Sequence, residues 1–119
     1  MIYHITTRRA WREAQQRGDY RVESLESEGF IHCSTGVQVL PVAEKYYARQ
    51  RGLLVLVIDP ARLSSELKWE PPSGGAPPAG VPEGEMFPHV YGPINLDAIV
   101  KVIDLETNPD GKHSVPTLD

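Results

Sequence analysis

Between Gly52 and Asp59-Pro60 the chain runs Leu-Leu-Val-Leu-Val-Ile, apolar at every position. Six residues are far too few to cross a bilayer. With no polar alternation, neither face can be left to water. Branched side chains dominate, so the run reads as a central strand covered on both faces. Any fold for this sequence has to supply one layer on each side of it.

The flanking segments supply candidates. Residues 2–6 read as a first strand. Thr6 or Thr7 can cap a helix over 8–17, in which Ala10, Trp11 and Ala14 form one buried stripe and Gly18 is the stop. Tyr20 and Val22 suggest a short extended piece, and 24–28 a helical turn ended by Gly29. Residues 30–34 read as a second strand. Thr35-Gly36-Val37-Gln38 has capping-box spacing. Pro41 is expected to break the helix that follows, leaving a main helix over 41–50 with Val42, Tyr46 and Tyr47 inward and Gly52 as terminator. Residues 67–70 alternate as a half-buried strand, 87–94 return to apolar and aromatic residues, and 98–105 read as a last strand. Residues 71–86 are rich in proline and glycine and cannot be regular; such a loop is a floppy insertion or a cover over a site. From 107 to 119 the chain is polar, with Pro109, Gly111 and Pro116, and is expected to be a disordered tail. The order predicts one α+β domain over 1–106, with a mixed, largely antiparallel sheet and packed helices.

The 119 residues fit a single core, and the net charge of −4 disfavours non-specific binding to nucleic acid or anionic membrane. Five arginines, Arg8, Arg9, Arg12, Arg17 and Arg21, precede the first lysine, Lys45. They make a solvated face or a local attraction for phosphate. A lone Cys33 excludes an intrachain disulfide and cysteine-rich zinc frameworks. Met1-Ile2-Tyr3-His4 shows no basic region followed by an apolar stretch, so a cytoplasmic location is expected. The sequence sets no oligomeric state.

Three of the four histidines share one pattern, His, any residue, then a hydroxyl: Tyr3-His4-Ile5-Thr6, Ile31-His32-Cys33-Ser34 and Pro88-His89-Val90-Tyr91. In a strand, positions i and i+2 share a face, so His4 with Thr6, and His32 with Ser34, point the same way. His113 falls in the expected tail and is set aside. Burying one unpartnered imidazole costs about 1–3 kcal/mol, so three need partners in one another, water or a ligand. Three chemistries fit. Three imidazoles can hold zinc with an open position, but no short ligand pair is present, and Asp59, Glu70 or Glu85 would have to fold in as supporting carboxylates. Ser34 or Cys33 could act as nucleophile, yet Ser34 lacks a Gly-x-Ser-x-Gly setting and Cys33 should point away from His32. Ligand recognition with electrostatic catalysis is the third. Imidazole and hydroxyl donors suit ribose and phosphate, and Tyr3, Phe30, Phe87 and Tyr91 can stack on a flat ring.

The segments Ile2-Tyr3-His4-Ile5-Thr6, Trp11 with Ala14, Glu28-Gly29-Phe30-Ile31-His32-Cys33-Ser34, residues 54–59, Trp69-Glu70 and Phe87-Pro88-His89-Val90-Tyr91-Gly92-Pro93-Ile94 resemble domain-of-unknown-function family 952 (DUF952). The resemblance implies a fold similar to the ADP-ribosyltransferase fold, with a split sheet. In that wider fold a first-strand histidine or arginine holds the ribose of NAD, and His4 matches that place. Ser34 with His32 matches the second strand, which positions the nicotinamide side. The third motif usually supplies a glutamate for the ribosyl cation. This chain has His89 and Tyr91 there, with Glu85 only nearby, and an imidazole does not stabilise such a cation as a carboxylate does. The expected function is a transferase or hydrolase acting on NAD, ADP-ribose or a related phosphorylated nucleotide, with no metal. His32 and His89 are the expected catalytic residues. His4, Thr6, Ser34 and Tyr91 are the expected binding residues. The alternatives are a non-catalytic module that binds a nucleotide-like metabolite and, third, a zinc-dependent hydrolase.

Overall fold

A computed structural model describes residues 1–114 and 118. In chain order its elements are β1 (Ile2–Thr7), α1 (Arg8–Arg17), β2 (Asp19–Tyr20), α2 (Glu23–Ser27), β3 (Ile31–His32), α3 (Val39–Tyr46), β4 (Leu53–Ile58), β5 (Glu66–Glu70), β6 (Phe87–Tyr91), β7 (Ile94–Asn95), β8 (Ile99–Thr107) and β9 (His113–Ser114), with 3₁₀ turns at Pro60–Arg62 and Leu96–Ala98.

The apolar run is β4, buried at every position. It lies between β1 and β8, antiparallel to both. Its two-residue period separates two cores. Leu56 and Ile58 face Ile2, Ala14, Tyr20, Ile31, Cys33 and Val90, with Trp11 of α1 packed on them. Leu53, Val55 and Val57 face Tyr3, Ile5 and Leu105, under Val39 and Ala43 of α3. Each such aliphatic side chain contributes about 1.5–3 kcal/mol by leaving water. β4 is therefore covered on both faces, as its composition requires.

Helix ends follow local chemistry. Thr7 Oγ1 accepts the Ala10 N–H at 3.1 Å, and Gly18, at φ 104°, sends its N–H back to the Ala14 carbonyl. The proline at position 41 does not break α3. It lies in the first turn, where a backbone N–H has no intrahelical partner and its loss costs little. The helix stops at Tyr46, earlier than expected, because Arg49 takes φ 64° and directs its N–H to the Gly111 carbonyl. That contact belongs to a segment expected to be a disordered tail from residue 107. Its described part is ordered: β9 pairs with the end of β8, and His113 is buried, with its N–H donated to Glu44 and its ring Nε2 bonded to the Tyr47 carbonyl. The folded unit therefore runs past residue 106; residues 115–117 and 119 lie outside the described residues.

β5, β6 and β3 form a second antiparallel sheet, in register His32 to His89 and Lys68 to His89. β2 and β7 make a two-stranded ribbon. The strand expected over 30–34 is a ladder only at β3. Beyond it Ser34 exchanges N–H···O bonds of 2.8 and 2.7 Å with Tyr3. This single pair tacks the second sheet to the edge of the first. All strand pairing among the described residues is antiparallel, so the molecule is a mixed α and β fold with a curled, divided sheet. No helix among the described residues is long and apolar enough to cross a membrane.

Candidate functional site

Beside the Tyr3–Ser34 junction lies a cleft of about 690 Å³, ample for a small molecule. His4, Thr6, His32, Ser34 and His89 all line it; Tyr91 does not. Tyr46 and Tyr47 at the end of α3 form another wall, and Pro72, Ser73, Gly74 and Pro78 of the proline-rich loop close one side. The loop is held there by Gln38, whose Nε2 donates to Glu85 at 2.9 Å and to the Met86 carbonyl at 3.0 Å. Gln38 Oε1 accepts the Thr35 N–H, which is half of a capping box. The Thr35 hydroxyl is buried without a partner among the described residues.

His4 is 7% exposed. Its Nδ1 lies 2.5 Å from the His32 carbonyl, its Nε2 lies 2.7 Å from Tyr20 Oη, and Tyr20 Oη lies 2.6 Å from Thr6 Oγ1. A carbonyl only accepts, so Nδ1 carries the proton. Burial disfavours the imidazolium and pulls His4 down to about 4. The ring is then neutral near pH 7; its Nε2 takes the single phenol proton of Tyr20 when the Thr6 hydroxyl donates in turn to the phenol oxygen. Burial likewise pushes the Tyr20 phenol far above its ordinary value. Thr6, Tyr20, His4 and the His32 carbonyl thus satisfy one another. His4 gives the cleft a wall and keeps neither ring nitrogen for a ligand.

His32 and His89 are built differently. The β3–β6 register sets them opposite each other, with ring centroids 5.5 Å apart and edge to face. Strand alternation sends Val90 into the core and turns Phe87, His89 and Tyr91 to the other face. His89 is 3% exposed, and its Nδ1 lies 2.9 Å from Glu70 Oε1. His32 Nε2 lies 2.9 Å from Glu28 Oε2. In each ring the other nitrogen has no hydrogen-bond partner among the described residues. Each carboxylate therefore fixes one N–H and leaves one lone pair. The Tyr91 hydroxyl, which donates to Glu70 at 2.6 Å, and the His89 contact hold Glu70 below the usual carboxylate range. The His32 contact does the same for Glu28, whose second oxygen accepts from Ser73 of the loop at 3.0 Å. Phe30, expected to stack on a ligand, instead stacks on His89 at 4.2 Å and 22°.

Cys33 packs in the first core, and burial raises its thiol well above the ordinary value, which removes it as a thiolate nucleophile. Ser34 is 5% exposed, lines the cleft, and its hydroxyl has no hydrogen bond among the described residues. No group of three His, Cys, Asp or Glu side chains among the described residues is placed to hold a metal ion. With both nitrogens of His4 engaged, a three-histidine zinc site lacks its third ligand. Sequence reasoning missed Glu28 and Tyr20 as partners and named Glu70 only as a carboxylate that could fold in. Alternation in Lys68-Trp69-Glu70 puts Glu70 on the face of Lys68, and the β5–β6 register turns that face to His89. Glu28 had no periodic signal, because Gly29, at φ 89°, turns the chain between it and β3.

This chain is similar to protein CC0527 from Caulobacter crescentus. Against its crystal structure the identity is 31% and the TM-score 0.79, covering 95% of this chain and 92% of that one. Against its solution NMR structure the values are 32% and 0.73, covering 93% and 89%. No match was found among the curated proteins. The family described as "Protein of unknown function (DUF952)" matches residues 5–102. His32, His89, every other cleft-lining residue except His4 and most of the surrounding sheet fall within that match, and the chain belongs to the DUF952 family.

Proposed function

We propose that the cleft is the active site of a small acid–base enzyme, a transferase or hydrolase acting on a nucleoside- or nucleotide-like substrate. One observation carries this reading: two adjacent imidazoles, each oriented by its own carboxylate, each with one nitrogen unpartnered. That is the arrangement general acid–base catalysis needs. His89, held through Nδ1, accepts at Nε2 the proton of an attacking water or hydroxyl. His32, held through Nε2, takes up a proton at Nδ1 and gives it to the leaving group. The two rings exchange roles when product leaves. Ser34 supplies a hydroxyl for the sugar, while His4 and Thr6 act through the wall they build. Glu70 keeps His89 in one tautomer and Tyr91 braces Glu70.

The likeness to the ADP-ribosyltransferase fold belongs to the same proposal, supported by two antiparallel sheets joined at one bridge. Where that fold usually carries a third-motif glutamate this chain has His89 and Tyr91; Glu70 of the neighbouring strand is directed at both, so it positions a base and does not face a sugar cation. Thermal shift with NAD, ADP-ribose and nucleosides, followed by product analysis, tests the reading. A stabilising ligand that is consumed by wild type and spared by His89→Asn supports it. Turnover unchanged by His89→Asn sinks it. Binding with no turnover at all replaces it with the non-catalytic module.

A further inference from the structure

We infer that this cleft, read as the acid–base site above, takes neutral or cationic nucleoside-like molecules and discriminates against diphosphates. Glu23 and Glu28 line it, and Glu70 stands behind His89. His4 is neutral near pH 7. Even with both His32 and His89 protonated, the site keeps a net negative charge, since each imidazolium is matched by its own carboxylate and Glu23 is left over. No lysine or arginine is among the residues lining the cleft. Several of the chain's cations are engaged elsewhere. Arg17 and Arg21 both bind Asp19, Arg8 binds Asp104, and Lys68 lies over the Tyr91 ring. Lys45, next to the lining residue Tyr46, donates to the Ala76 carbonyl and sits 5.3 Å from the Tyr46 ring centre. The early arginines, which the sequence offered as a phosphate attractant, therefore do not reach the cleft lining.

A diphosphate would enter the cleft against like charge with no guanidinium or ammonium among the lining residues to meet it. A neutral or positively charged ring with ribose hydroxyls finds aromatic walls from Phe87, Tyr46 and Tyr47, carboxylates, and the free Ser34 hydroxyl. The test is titration calorimetry of the whole protein with adenosine, nicotinamide riboside, NAD and ADP-ribose, at low and high ionic strength. The expected result is that the two nucleosides bind about tenfold or more tighter than NAD and ADP-ribose at low salt, the cationic nucleoside tightest, with the gap narrowing as salt screens it. Glu23→Lys is expected to narrow the gap at low salt by favouring the diphosphates. Equal or tighter binding of ADP-ribose or NAD overturns the inference and leaves the acid–base reading standing. Failure of all four ligands overturns the inference as well. The acid–base reading fails on separate grounds, if ¹⁵N spectra show His32 and His89 without the fixed tautomers described above.

Discussion

His4 and His89 begin in the same local pattern and end in opposite settings. Both are almost fully buried and both sit on strands. His4 faces the first core, where its neighbours are a carbonyl and a phenol, so both nitrogens are satisfied and the charged form is suppressed. His89 faces a carboxylate on one side and the cleft on the other. The difference is made by neighbours, not by the motif. An imidazole bonded at both nitrogens is scaffold, and one oriented at a single nitrogen is available for chemistry.

The sharpest way to break this comparison is to substitute both kinds. His89→Asn should lower turnover of the cognate ligand by on the order of 10²–10⁴-fold while shifting stability by no more than about 1 kcal/mol. His4→Ala should cost stability, about 2–4 kcal/mol in urea denaturation, because it leaves Tyr20, Thr6 and the His32 carbonyl short of a partner around a new void. If His4→Ala folds as tightly as wild type, the scaffold role fails.

A pH series sharpens the contrast. Unfolded, His4 returns to its ordinary 6.5; folded, it stands at about 4. Between these values the unfolded chain binds more protons, so stability falls as pH drops from about 6.5 to about 4 and this contribution levels off below. The full span is about 3 kcal/mol. Glu28 and Glu70, held below their ordinary 4.5 by their partners, act in a lower window, losing their contribution only as pH falls beneath that value. Urea midpoints of His4→Asn should be flat between pH 6.5 and 4.5 where those of wild type slope. Parallel slopes would contradict a neutral, buried His4.

Smaller effects probe the orienting groups. Glu70→Gln keeps an oxygen for the His89 N–H but loses the charge, and should slow turnover about tenfold with a shifted pH profile. Ser73→Ala removes the loop's bond to Glu28 and should change KM by about twofold, with kcat nearly untouched. A larger kcat effect would make the loop part of the chemistry.

Much of the frame was legible from residue pattern alone. Leu53 to Ile58 demanded cover on both faces, Thr7 and Gly18 bracketed α1, and the three histidine motifs do line one cleft. What escaped depends on tertiary register. Nothing local says that Lys68 stands opposite His89, which is what brings Glu70 to its ring. Pro41 reads as a breaker only if the helix is taken to begin at the Thr35 capping box; α3 begins at Val39, which puts the proline in its first turn. The polar segment after Thr107 looked disordered because its order comes from distant groups, Glu44, Tyr47 and Arg49.

Among the described residues the two sheets share one backbone hydrogen-bonded pair, Tyr3 with Ser34, reinforced by His4 reaching the His32 carbonyl, while Ile31 and Val90 pack on Leu56 and Ile58 behind it. Each half is stiff within its own ladder, while the suture between them is short and borders the cavity. A molecule gripping both His89 and Ser34 would act as a second stitch, and amide hydrogen exchange at Tyr3 and Ser34 would slow in its presence.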